Sequence, residues 1–235
     1  MSKSNQMLVS LHQPMVYGTL IKRYKRFLAD IKLDSGELIT AHCPNPGRML
    51  TCSDPGSRVR LSLFEDSKRK YPYRLDLVHN GECWIGVNPN LANDIVAAAI
   101  ESDYLFSDLD KAKWQREVRY AESSRIDFLH HDIKKTYVEV KSVTYAVDGI
   151  GYFPDAISKR ATEHLNALQK MIHEGHQSHI VYCVQRPDIV GDVRPAAEID
   201  PNYANAFNQS LSEGVQVTTL PIQFDSAGRY VLLSK

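Results

Sequence analysis

Asp127 is followed twelve positions later by Glu139 and, two further on, by Lys141, all within SRIDFLHHDIKKTYVEVKSVTY, residues 124–145. Two carboxylates and an ammonium group brought together are what phosphodiester hydrolysis needs. Carboxylate oxygens hold a hard divalent cation, Mg2+ or Mn2+, which keeps several of its waters. The cation neutralises the phosphate and lowers the pKa of a bound water, giving a nucleophile near neutral pH. A lysine beside it orients that water and stabilises negative charge as it develops. Asp127 and Glu139 are therefore the candidate metal ligands and Lys141 the candidate water-orienting group. The spacing alone is a weak pattern, because Glu139 and Lys141 read equally well as an ion pair on an exposed strand.

Strands must position these groups. Arg125–His130 and Thr136–Val143 are apolar or alternating, and the short polar HHDIKK segment between them predicts a hairpin. On the second strand Glu139 and Lys141 leave the same face, roughly 6–7 Å apart. Burying two unpaired charges is costly, so their company must be a metal, a cleft or each other. A strand is also expected at Glu117–Ala121, and a helix over Asn90–Ser102 with Asn90 as N-cap. A longer helix, from Ser158 to about Glu174, places Leu165, Leu168 and Met171 on one face and ends at Gly175. A buried strand His179–Gln185, a helix Pro201–Ser212 and a strand Val215–Leu220 complete a mixed α/β domain over residues 87–235. Arg160 and His164 lie four apart on the longer helix; they either face a cleft and touch phosphate or sit on the solvated side.

The first 86 residues read differently. Arg26–Leu33, Glu37–Cys43, Arg58–Phe64, Tyr71–Val78 and Cys83–Val87 are short strand patterns separated by Asp-Ser-Gly, Pro-Asn-Pro-Gly, Asp-Pro-Gly and Asn-Gly turns. Five strands with no helical period between them predict an OB-like β-barrel. Two segments there mix cations with aromatics. Lys22, Arg23, Tyr24 and Lys25 form one; Lys68, Arg69, Lys70 and Tyr73 form the other. Cations would follow backbone phosphates and exposed aromatics would stack on unpaired bases, giving binding that is salt-sensitive and largely indifferent to sequence. No recognition-helix pattern argues for tight major-groove reading.

Composition sets the frame. Hydrophobic residues are 43% and charged residues 24% of the chain, ordinary for a folded domain. The net charge is zero, but residues 1–86 hold 13 Lys and Arg against 8 Asp and Glu, and the remainder 15 against 20. A basic front half suits a polyanion and an acidic back half suits metal-binding carboxylates. No apolar run is long enough to span a membrane, and no secretory signal pattern opens the chain. Cys43, Cys52, Cys83 and Cys183 lack CxxC spacing, so a cytoplasmic protein with reduced thiols is expected.

The chain resembles the sugar fermentation stimulation protein family through LIKRYKRFLAD, HCPNPG, KRKYPY, GVNPNLAN, SRIDF, YVEVKSVT, YFPDA and DPNYA, taken in order along nearly its whole length. The resemblance implies an OB-like domain followed by a nuclease-like domain of the PD-(D/E)xK type, with DNA as partner. It also implies a role in regulating sugar use, maltose metabolism especially. Its nuclease motif falls on Asp127, Glu139 and Lys141, and Glu117 resembles the additional acidic position of such sites, with Glu122 nearby. Where relatives carry lysine in the helix after YFPDA this chain has Glu163, which puts a phosphate contact there in doubt. Two functions follow: a Mg2+-dependent nuclease, or a DNA-binding regulator whose nuclease-like fold no longer cuts.

Overall fold

The computed structural model describes residues 7–11, 14–65, 68–120, 125–225 and 229–232. A short first strand, β1 (Met7–Ser10), is followed by a barrel of β2 (Met15–Tyr24), β3 (Leu28–Leu33), β4 (Leu38–His42), β5 (Arg58–Leu63) and β6 (Tyr73–His79). Their order is β4-β3-β2-β5-β6, and β4 meets β6 at His42 and Arg74 to close the barrel. A further strand, β7 (Trp84–Gly86), pairs with β6. Leu20, Ile31, Leu61, Leu75 and Ile85 fill the interior from alternating positions of these strands. This is the expected OB-type barrel. The central strand β2 has no counterpart among the sequence patterns, because cations at its C-terminal half obscure the alternation. Gly18 lets β2 and β3 approach; a Cβ there would stand 2.6 Å from the Lys32 carbonyl oxygen.

The second half begins with α1 (Asn90–Glu101) and β8 (Trp114–Arg119), β9 (Arg125–His130) and β10 (Thr136–Val143). Then come β11 (Tyr145–Val147), β12 (Ile150–Phe153), α2 (Lys159–His173), β13 (Gln177–Val184), β14 (Val193–Pro195), α3 (Pro201–Ser212), β15 (Gln216–Phe224) and β16 (Arg229–Leu232). Seven strands form one mixed sheet in the order β1-β16-β15-β13-β10-β9-β8, with β10, β13 and β15 parallel. Helices α2 and α3 cover one face through Leu165, Leu168, Tyr203 and Phe207. Helix α1 covers the other through Ile95, Val96 and Ala99. Strands β11, β12 and β14 make a small separate sheet.

Ser158 caps α2 by accepting the Ala161 amide proton, and Gly175, at φ 87°, follows its end. The N-cap of α1 is Pro89 without a side-chain hydrogen bond, so Asn90 is the first helical residue rather than the cap; Asn88 Oδ1 instead accepts from the Asn90 amide at 3.2 Å. The two halves are tied through backbone: the Gly86 amide donates to the Gln185 carbonyl at 2.8 Å and the Met49 amide to Asp155 Oδ2 at 2.7 Å. Arg186, nearly fully buried, donates to Thr51 Oγ1 at 3.0 Å and the Thr144 carbonyl at 2.7 Å.

Candidate functional site

Strands β9 and β10 pair from Thr136 with His130 to Val138 with Phe128, and the ladder then stops. The next pair in that register would be Glu139 opposite Asp127. There the Asp127 side chain takes over: its Oδ2 accepts from the Val140 amide at 2.7 Å, so that amide keeps a partner where the strands splay. Its Oδ1 accepts from Asn93 Nδ2 of α1 at 2.9 Å. The same amide nitrogen reaches Glu117 Oε1 at 3.2 Å. Glu117 sits in the left-handed region at φ 55°, on β8, where the β8–β9 pairing skips from Arg116 to Val118. One asparagine thus gathers two carboxylates. Glu122 lies outside the described residues.

Glu139 is 3% exposed. Lys141 Nζ lies 2.6 Å from its Oε1, with Glu139 buried and Lys141 partly so, which differs from the exposed ion pair that the spacing also allowed. His164 on α2 donates from Nδ1 to the same Oε1, while its Nε2 accepts from Arg160 Nε at 3.3 Å. His164 therefore faces the acidic cluster and Arg160, exposed, reaches it through His164. Glu139 Oε2 is buried with no hydrogen-bond partner among the described residues. A buried carboxylate oxygen left without a donor is expensive unless a cation or donor meets it.

The electrostatics separate the two acids. Burial, reinforced by the negative Glu139, pushes Asp127 up to about 6, against the hydrogen bonds from Val140 and Asn93 and the charge of Lys141. Burial also acts upward on Glu139, but Lys141 and His164 outweigh it and hold that carboxyl below its ordinary value.

Above these groups lies a cleft of about 610 Å3 between the two halves. Asn93, Val140 and Lys141 line its floor, so Asp127 and Glu139 sit directly beneath, each bonded to a floor residue. The barrel contributes Arg23, Tyr24, Arg26 and the Asn45–Arg48 loop; the other wall is Tyr145, Tyr152 and Phe153 to Ser158. The barrel loops are strained: Lys25, Arg26, Met49 and Thr51 all have φ between 49° and 64°, at about 1–3 kcal/mol each. Arg23 holds them, with NH2 donating to the carbonyls of Arg26, Asn45 and Gly47 at 2.6, 2.8 and 2.8 Å and NH1 to that of Arg48 at 3.3 Å. Asp155 holds them from the other side, and Gly47 makes room; a Cβ there would meet Asp155 Oδ1 at 2.1 Å.

The sequence-predicted contact residues therefore divide. Arg23 and Tyr24 line the cleft, with Arg23 committed to carbonyls and the Tyr24 hydroxyl donating to Asp30 at 3.0 Å. Lys22 pairs with Asp30 at 3.5 Å on the outside, and Lys25 is exposed. Lys68, Arg69, Lys70 and Tyr73 do not line the cleft; the Arg69 guanidinium packs 4.0 Å from the centre of the Phe64 ring and Lys70 lies 5.4 Å from that of Tyr71. Asn93, Tyr145 and Tyr152 are additions from the structure, while Arg26 lines the cleft from within the basic segment Ile21–Phe27. Asn93 falls in GVNPNLAN and Tyr152 in YFPDA, two of the segments that carry the family resemblance.

Comparison with known proteins bears on the whole chain. A model of the sugar fermentation stimulation protein RE domain matches residues 90–228, and one of the N-terminal OB domain of the same family matches residues 21–87. A sugar fermentation stimulation protein homolog of Marinomonas sp. is 42% identical over 231 residues, covering 97% of this chain and 89% of that protein. One of Thioalkalivibrio sulfidiphilus is 48% identical over 209 residues, 86% of each. In three dimensions the chain is similar to Pyrococcus furiosus SfsA in complex with Ca2+, with a TM-score of 0.84 and 21% identity, over 98% of this chain and 99% of that one. Among the described residues no helix is long and apolar enough to cross a membrane.

Proposed function

Since the chain belongs to the sugar fermentation stimulation protein family, we propose that it is a DNA-binding protein whose second half carries a divalent-metal phosphodiesterase site. The observation that carries this reading is the convergence of Asp127, Glu139 and Lys141 at one cleft, with Glu139 Oε2 buried and unpartnered among the described residues.

The residues fit a hard cation. Asp127 and Glu139 offer only oxygen, and the orphaned Glu139 oxygen is a vacant donor. Mg2+ is normally held by one or two carboxylates with water and substrate phosphate, and Asp127 and Glu139 would supply the carboxylates. The Pyrococcus furiosus relative is in complex with Ca2+, another oxygen-seeking ion. When bound, the cation would screen phosphate charge and lower the pKa of a coordinated water.

The chain's own residues do the rest. Asn93 and the Val140 amide fix the Asp127 carboxylate, and His164 fixes Glu139. Lys141, on the cleft floor, presents positive charge where the scissile phosphate would lie and supplies N–H donors to developing negative charge. Glu117, held to the same Asn93 that holds Asp127, is a further acidic group beside that carboxylate.

Calorimetric titration with Mg2+ or Mn2+ tests this reading. The parent protein should bind, and Asp127→Asn and Glu139→Gln should not; a parent that binds neither ion would sink it. A second reading, a non-cutting DNA-binding regulator, is favoured by one feature: both Asp127 oxygens already accept hydrogen bonds. Cleavage assays separate the two.

A further inference from the structure

We infer that the cleft accepts an unpaired nucleic-acid strand and excludes an intact duplex. The inference rests on the phosphodiesterase reading and adds the substrate class to it.

Space is the first argument. At about 610 Å3 the cleft is in the range of pockets that enclose a single small ligand, about 300–1,000 Å3. It holds a nucleotide or two, not two paired strands. Its two sides are pinned to each other by the Met49 amide on Asp155 and by Arg186 on Thr51, so widening would break these hydrogen bonds. The acids lie beneath the floor, and a phosphate must enter to approach them.

The chemistry of the walls is the second. On the barrel side Arg26 and Arg48 are exposed and make no ion pair among the described residues. On the other side Tyr145 and Tyr152 are a cross-strand pair on β11 and β12, half-buried, with ring centroids 5.6 Å apart and planes at 41°. Ile157, 75% exposed, extends that wall at the mouth. Cations for phosphates on one wall and aromatic faces for bases on the other is how single strands are held, because every unpaired base has a free face to stack. A duplex keeps its bases stacked on each other and offers the tyrosines none.

The test is equilibrium binding of the full chain, in EDTA to prevent cutting. The probes are labelled oligo-dT and oligo-rU of about 15 nucleotides, near one OB-type site, and a blunt DNA duplex of the same length. Either single strand should bind about tenfold or more tightly than the duplex. Tyr145→Ala and Tyr152→Ala should each weaken single-strand binding by about 5- to 100-fold, while Tyr152→Phe keeps it. Arg48→Ala, at an exposed side chain, should lower the slope of log affinity against log salt by about 0.7. A duplex bound as tightly as the single strand, or tyrosine and arginine variants that bind like the parent, overturns the inference. Were the inference overturned, Asp127-dependent cutting of the duplex in a separate assay with Mg2+ would leave the phosphodiesterase reading standing alone; no binding to any probe in EDTA, together with no cutting of any probe in Mg2+, would remove both.

Discussion

Asp127 Oδ2 accepts the Val140 amide proton at 2.7 Å, at the point where β9 and β10 cease to pair. One carboxylate thereby closes the backbone of the strand that carries Glu139 and Lys141 and also stands beneath the cleft. A group with both duties is compromised in the metal-free protein: burial and the nearby Glu139 raise it to about 6, above the ordinary 3.8.

The sign of the resulting stability effect follows. Between pH 3.8 and about 6 the folded state binds more protons at Asp127 than the unfolded state does, so this group's contribution to stability falls as pH rises through that window. Above it the penalty is constant. Asp127→Asn keeps an acceptor for Val140 and removes the charge. Without divalent metal it should be more stable than the parent by about 1–2 kcal/mol at pH 7.5, with the gain shrinking toward pH 4.5. Urea denaturation in EDTA at both pH values checks this; an equal difference at the two would contradict it.

Glu139 and Lys141 should be strongly coupled. Their side chains are 4% and 12% exposed, and removing one leaves the other a buried charge. Lys141→Ala should destabilise by about 3 kcal/mol. The double variant Glu139→Gln with Lys141→Ala should recover at least about 1 kcal/mol of the summed losses of the two single variants. A double-mutant cycle by urea denaturation measures the coupling, and strict additivity would refute it.

Arg23 is a fastener of the barrel loops. Four carbonyl oxygens accept from its guanidinium. Arg23→Ala should cost about 2 kcal/mol, in line with hydrogen bonds to a charged group. It should also speed proteolysis within residues 43–52. If its stability matched the parent's while salt dependence of DNA binding fell, Arg23 would be a phosphate contact instead.

These relationships show where sequence reading carries and where it stops. Glu139 and Lys141 share a face because strand geometry repeats every two residues, and Pro201 and Asp200 mark the start of α3 because their chemistry is local. The site's supports are not local. Asn93 meets Asp127 across 34 residues and Arg23 meets Gly47 across 24, and no periodicity encodes either. Strand β2 was hidden because Lys22, Arg23 and Lys25 look like a solvated turn, although the first two continue the barrel. The strand pair bearing Tyr145 and Tyr152 is too short to show alternation.

The most direct measurement of the central claim is cleavage of labelled single- and double-stranded DNA and RNA in Mg2+, Mn2+ or EDTA, comparing the parent with Asp127→Asn and Lys141→Ala. The account predicts metal-dependent cutting of at least one substrate by the parent, lost in both variants while binding persists. Intact substrate under every condition, with binding undiminished, would contradict a phosphodiesterase site and leave a DNA-binding protein that does not cut.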